Sequence, residues 1–524
     1  MRRKMKAIVN IVLIGLVLLF ATGYRFNSQY ANSGMRGHMS GPNVSNFGRH
    51  HRDESHMGRN GSSRNDNNFD SFSGRNRMHH TDVPRFEEIK GESNKLKLPE
   101  ILEPDFEREN EVSYTLKTQR GETQLKEGRK TATMGYNGSY LGPILKMRKG
   151  QTVHIKTENN LSEETTFHWH GLKIPSDVDG GPHSPVEPNQ AAQIDFEVNQ
   201  EAATLWFHPH ALGTTAEQVY YGLAGLIYVE DEQTDRLDLP KEYGVNDFPL
   251  ILQDRNLDEN NQLDYERAYN PDGVYGNTLL VNGTLNPYVE VKNEKVRLRL
   301  VNGSNARNYQ LVLNNQARFY QIASDGGFLE EPVEMTSLVL APGERAEIII
   351  DLEDYPEGET IQLMDGETTV LDIGVKGTTD VKKELPRKLN AIPVRETSDS
   401  LPVKKMTLAG MGYMVSIDGK QFDMDRIDIE ETQGETAIWE IYNASDMMGG
   451  MAHPFHVHGL QFKIISRDGK TPPLNEQGWK DTILIEAGET VQLELEFPEK
   501  GIFMYHCHIL EHEDVGMMGQ VKVK

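Results

Sequence analysis

His506-Cys507-His508-Ile509-Leu510-Glu511-His512-Glu513-Asp514-Val515-Gly516-Met517 holds the only cysteine among 524 residues. A lone thiol makes no internal disulfide. A thiolate with a nearby imidazole and a thioether instead suits a copper that shuttles single electrons. Successive side chains on a strand point to opposite faces. If Gly501–Ile509 is a strand, Cys507 faces one way and His506 and His508 the other. One metal can then sit on the sulfur and others behind it, a few covalent bonds away.

Three further His-x-His pairs accompany it: His168-Trp169-His170, His208-Pro209-His210 and His456-Val457-His458. Residues i and i+2 of a strand lie about 6.6 Å apart on one face, so each pair bridges two ions more readily than it chelates one. Four such pairs describe a cluster. His453, three residues before His456, faces the Cys507 side of an extended chain. With Cys507, His512 and a weak axial Met517 it completes a trigonal electron-transfer site; Met518 is the rival axial residue. Of 18 histidines, six lie in the N-terminal tail, ten enter these sets, and His154 and His183 read as surface or loop residues.

His168-Trp169-His170-Gly171, His208-Pro209-His210, His453-Pro454-Phe455-His456-Val457-His458-Gly459 and the His506–Met517 run resemble the four copper-binding motifs of bacterial three-domain multicopper oxidases, the group of laccases, bilirubin oxidases and copper-efflux oxidases. The resemblance covers roughly residues 95–524. It implies four copper ions. A type 1 copper would take His453, Cys507, His512 and Met517. A type 2 copper would take His168 and His456. A type 3 pair would take His170, His208, His210, His458, His506 and His508. Single electrons would enter at type 1, pass through Cys507 to His506 and His508, and reduce dioxygen to water at the trinuclear cluster. Asp179 and Glu513 match the family's acidic relay residues, with Glu511 and Asp514 competing for the second role. Some relatives have lost their ligands and serve as copper-free cell-division or assembly factors; all twelve motif positions are intact here.

The rest of the chain is consistent with that reading. An apolar run, 7–24, follows Arg2, Arg3, Lys4 and Lys6, so residues 1–24 read as a signal peptide or N-terminal anchor, placing the body outside the cytoplasmic membrane. Residues 25–82, rich in Asn, Ser, Gly, Arg, His and Met, lack the apolar surface to fold. They read as a disordered tail, either a solvated spacer or a copper-gathering tether. Residues 1–82 carry 12 Lys and Arg against 5 Asp and Glu, which leaves −31 on the body of a chain whose net charge is −24. So acidic a body excludes nucleic acid as a partner, while the basic tail could lie on an anionic envelope surface.

An alternating strand with a closing Asn recurs from Val153 to Asn160, from Val296 to Asn302 and from Ala437 to Asn443. A turn and strand recur after Pro188-Asn189-Gln190, Pro342-Gly343-Glu344 and Ala487-Gly488-Glu489. Short alternating strands between turn residues predict an all-β chain of Greek-key sandwiches, and the resemblance makes them three consecutive cupredoxin-like domains. The expected domains are 83–235 (type 2 and type 3 ligands), 236–385 (structural, without ligands) and 386–524 (type 1 and the remaining cluster ligands), with 386–401 as the linker. Since only the first and third carry histidine pairs, the cluster must form where those two meet, with the second as a spacer.

Seven methionines between Met406 and Met451 give the reductant site its character. Thioethers bind cuprous ion, so Asp446 and Met451 are candidate Cu(I) contacts; core filling explains methionines equally well. The expected reductants are Cu(I), phenols or aromatic amines, the acceptor is dioxygen, and the working expectation is a monomer. The alternatives are a non-catalytic copper-binding or envelope-assembly protein on the same scaffold, and, more weakly, a two-domain nitrite reductase, which needs no type 3 pair.

Overall fold

The computed structural model describes residues 83–88, 91, 93–380, 382–393, 401–445 and 449–524. The N-terminal apolar run and the tail lie outside the described residues, as do Asp446, Met447 and Met448. The described residues belong to one compact unit.

The repeat read from the sequence is the frame of that unit. Thr152–Asn159 buries alternate side chains and lies between Glu111–Thr123, parallel to it, and Ala191–Glu197, antiparallel. Lys295–Asn302 lies in the same way between Asp247–Arg255 and Arg345–Asp351. Thr436–Asn443 does so between Val403–Ala409 and Thr490–Glu496. Each trio is faced by a second sheet. In the first sandwich this is Ile144–Arg148, Gly225–Glu230 and Ala203–Phe207. In the second it is six-stranded and includes Pro287–Val291 and Tyr309–Leu313. In the third it is five-stranded, with Gly501–Cys507 between Met518–Val523 and His453–Val457. Each pair of sheets encloses its own apolar core. The protein is all-β and three-domain, as the sequence predicts.

Three local readings change. The closing Asn of the first repeat is Asn159, not Asn160. Asn159 Nδ2 donates to Val186 O, Asn302 Nδ2 to Leu340 O and Asn443 Nδ2 to Ile485 O, each at 2.8 Å. Three amides thus tie three equivalent strands to the turn that follows, a role invisible in the residue pattern. Second, Asn94–Lys95, expected with the first domain, adds in parallel to Pro287–Val291 of the second. Third, the strand expected to run to Ile509 stops at Cys507, and two residues separate it from the helix Leu510–Val515.

Asn302 also donates to Arg307 O at 2.7 Å. Truncation to Ala removes both of these buried hydrogen bonds, at about 1–3 kcal/mol. Asn302→Ala is therefore expected to lower the urea midpoint of the second domain, and an unchanged midpoint would refute the tie.

Candidate metal centre

The histidine pairs sit where strands stop. His168 and His208 pair across an isolated bridge, with His168 N donating to His208 O at 2.9 Å and His208 N to His168 O at 3.2 Å. His456 lies opposite His506 and Phe455 opposite Cys507 in adjacent antiparallel strands. The alternation thereby puts His453, Phe455 and Cys507 on one face and His456 and His506 on the other. His508 extends the pairing past the strand end through its N–H to Pro454 O.

All eight pair histidines are buried and fall into three groups: His168, His456 and His458; His170, His208 and His508; and His210, His458 and His506. Within each group one ligand atom per residue lies within 4.8 Å of the others. The rings share a polarity. Outward, His168 Nδ1 donates to Asp179 O at 3.0 Å, His208 Nδ1 to Pro209 O at 2.8 Å, His456 Nδ1 to Asp481 O at 2.8 Å and His506 Nδ1 to Cys507 O at 2.9 Å. His458 Nδ1 lies 2.7 Å from Asp179 Oδ2. Inward, Nε2 of His168, His170, His208, His456 and His508 has no hydrogen-bond partner. Nε2 of His210 and of His458 each lies 3.1 Å from that of His506. Neutral imidazoles cannot satisfy such a convergence of lone pairs, but soft divalent or monovalent metal ions can. The donor set therefore fits copper.

On the other face, Cys507 is free and fully buried, with its Sγ 3.6 Å from His512 Nδ1. Ile509 N–H also points at that sulfur, at 3.5 Å. Met517 lies in the same buried cluster as Cys507, and its carbonyl accepts from Cys507 N at 3.0 Å. Met518 pairs with His506 instead. The His453 ring is 5.4 Å from that of His512, and its Nδ1 donates to Asn443 Oδ1 at 2.9 Å. Cys507 and His512 are thus in contact, while His453 is adjacent and turned to Asn443.

Three acids compete in Glu511-Glu513-Asp514, and their partners separate them. Glu513 presents Oε1 to His210 Nδ1 at 3.3 Å and Oε2 to His506 Nδ1 at 3.4 Å. Glu511 accepts from Asn305 Nδ2 at 2.8 Å and Tyr265 Oη at 3.1 Å, and Asp514 from the N–H groups of Thr215 and Ala216. Burial pushes Glu513 well above the ordinary carboxylate range. Of the candidate reductant contacts, Met451 is half-buried against the third core, and Asp446 lies outside the described residues. His154 binds Asp195 at 2.6 Å and His183 binds Gln520 at 2.6 Å, both away from the cluster.

Sequence reasoning missed Asp481, Thr482, Arg345 and Asn443. Thr482 Oγ1 lies 3.2 Å from His456 Nδ1. None of the four belongs to a histidine motif; Asn443 is marked only by the threefold repeat, and the other three by no local signal. The second sandwich is also more than a spacer, because its Arg345 Nη1 lies 3.3 Å from His170 Nδ1.

Three sequence models described as multicopper oxidase match residues 117–234, 246–360 and 396–524. A multicopper oxidase of Staphylococcus haemolyticus is 45% identical over 449 residues, covering 86% of this chain and 96% of that one. The crystal structure of a multi-copper oxidase from Pediococcus acidilactici superposes with a TM-score of 0.83 at 44% identity, covering 85% and 94% of the two chains. The cell division protein FtsP of Xenorhabdus nematophila is 37% identical, covering 83% and 93%.

Burial pushes His453 down to about 4 and His506 down to about 3, from an ordinary value near 6.5. A base whose folded pKa lies below its unfolded one contributes stability that is present above the unfolded value and lost as pH falls towards the folded one. The copper-free protein should therefore melt at steadily lower temperature as pH drops from 6.5 to about 4. A melting temperature flat across that window would contradict the burial of neutral imidazoles.

Proposed function

This chain belongs to the multicopper oxidase family, and we propose that it is an extracytoplasmic four-copper oxidase that takes electrons from Cu(I) or small phenols and aromatic amines. Copper-dependent oxidation with dioxygen as acceptor follows from membership; the ion count, the ligand roles and the reductant are our reading. In that reading type 1 copper is held by His453, Cys507, His512 and Met517, and type 2 by His168 and His456. The type 3 pair is held by the triads His170, His208, His508 and His210, His458, His506. Bound there, copper supplies one-electron oxidation of the reductant and four-electron reduction of dioxygen to water.

The observation that carries the reading is the set of eight buried imidazoles, outward nitrogens mostly tied and five of the inward ones without a partner. The protein's own groups do the rest. Cys507 is one peptide bond from His506 and one from His508, so the two sites share a short covalent bridge. The buried walls keep bulk water out. Asp179 Oδ2 holds His458 by its Nδ1, which commits the other nitrogen inward. Glu513, raised by burial, keeps a proton on a carboxyl oxygen beside His210 and His506, where oxygen reduction consumes protons.

The 3-10 turn Gly412–Met414 packs against the helix Leu510–Val515 that bears His512. Tyr413 and Met414 are 65% and 80% exposed there, which offers a stacking face and a thioether to arriving reductants. Extracytoplasmic placement rests on the basic and apolar N-terminal run; among the described residues no helix is long and apolar enough to cross a membrane. The more distant likeness to a cell division protein does not favour the non-catalytic assembly alternative, and colour separates the two.

Metal analysis of the loaded protein should return about four coppers per chain, with a blue band. Cys507→Ser should abolish the blue band and substrate oxidation while the melting curve stays cooperative; turnover at the parent rate would refute the electron route. Glu513→Gln should keep the blue band but slow oxygen uptake by about 100-fold or more, and parental uptake would remove its proton role.

A further inference from the structure

The second sandwich contributes no histidine pair, yet its strand Arg345–Asp351 begins at the cluster. Arg345 donates through Nη1 to Asp481 Oδ1 at 2.7 Å and through Nη2 to Asp481 Oδ2 at 2.5 Å. Nη1 also donates to Gly343 O at 2.9 Å and Nη2 to Asp325 O at 3.0 Å, while Nε has no partner. Asp481 Oδ1 in turn lies 3.6 Å from Nδ1 of both His170 and His456. Thr482 Oγ1 donates to the same oxygen at 2.9 Å. His170 comes from the first sandwich, Arg345 from the second and Asp481 from the third, and all three side chains are buried.

The backbone is cut to fit this meeting. Gly171, at φ +92°, could carry no Cβ without bringing it within 2.7 Å of Arg345 Nη2 and Asp481 Oδ2. A Cβ on Gly343 would come within 2.7 Å of His508 Cδ2. Gly171 thereby leaves room for the Arg345–Asp481 pair, and Gly343 lets the turn before Arg345 lie against the His508 ring.

We propose that Arg345 is a positioning residue of the histidine cluster: it fixes Asp481, and the pair fixes the rings of His170 and His456. A fully buried carboxylate needs a hydrogen-bonded cation beside it, and a guanidinium grips both oxygens in one plane, which an ammonium cannot. Outer partners of ligating imidazoles set ring orientation and metal affinity. The inference rests on His170 and His456 being copper ligands.

Arg299 is the control. It is a partly buried arginine of the second sandwich that reaches the first, but its partners are Asp247, Glu347 and Thr204. In the copper-loaded protein, Arg345→Ala should weaken cluster copper about 10–100-fold in chelator competition. It should also perturb the type 2 signal in electron paramagnetic resonance, while the blue type 1 band on the opposite strand face survives. Arg299→Ala should lower stability and leave all three readouts at parental values. If Arg345→Ala does not fold, Arg345→Lys replaces it and should show an intermediate loss of cluster affinity. Parental cluster affinity in the folded Arg345 variant, or an equal loss in Arg299→Ala, would overturn the proposal. A parent chain that binds type 1 copper alone would sink the ligand assignment instead, and the inference with it.

Discussion

Eight imidazoles are buried together, and the inner nitrogens of five of them have no hydrogen-bond partner. Taking a polar atom out of water without a partner costs about 1–3 kcal/mol in proteins, and here the same cost recurs around one small space. Such an arrangement persists only if the rings are held from outside. The outward nitrogens show how. Carbonyls of Asp179, Pro209, Asp481 and Cys507 each accept from one ring, and the carboxylates of Asp179 and Glu513 face others. The second layer is therefore as much a part of the centre as the histidines. It fixes which nitrogen points inward before any metal arrives.

That demand explains the architecture around it. A β-sandwich is stiff in its interior and free at its strand ends, so the ligands gather where strands stop and backbone carbonyls are still in place to orient them. Alternation then does a second task. Because Cys507 and His506 are neighbours on Gly501–Cys507, they face opposite sides of one sheet, and the sulfur site is insulated from the cluster by the strand that joins them. No single sandwich could supply both faces of the cluster. The first and third provide the rings, and the second wedges Arg345 between them.

Much of this was legible in the residues. Four His-x-His pairs and one cysteine run marked every cluster histidine, because metal ligation demands particular side chains at strand spacing. The threefold repeat was legible because alternating strands and turn residues have a fixed period. Its register was read one residue off in the first copy: Asn159 and Asn160 are both asparagines, and only the hydrogen bond to Val186 O distinguishes them. Glu513 could not be separated from Glu511 and Asp514, since three acids within four positions differ only in what each helix face meets. Arg345 and Asp481 left no trace, because an arginine in a strand and an aspartate before one are ordinary until another domain is placed against them.

The amino-acid sequence by itself determined the ligand chemistry, the all-β class and the number of sandwiches, since these depend on residue type and on periods of two to about 145 residues along the chain. Only the tertiary structure decided which histidines meet one another, which acid faces them, and that the middle sandwich touches the centre. Those outcomes depend on distances between atoms hundreds of residues apart. Burial and hydrogen bonding set such distances, and no local pattern encodes them.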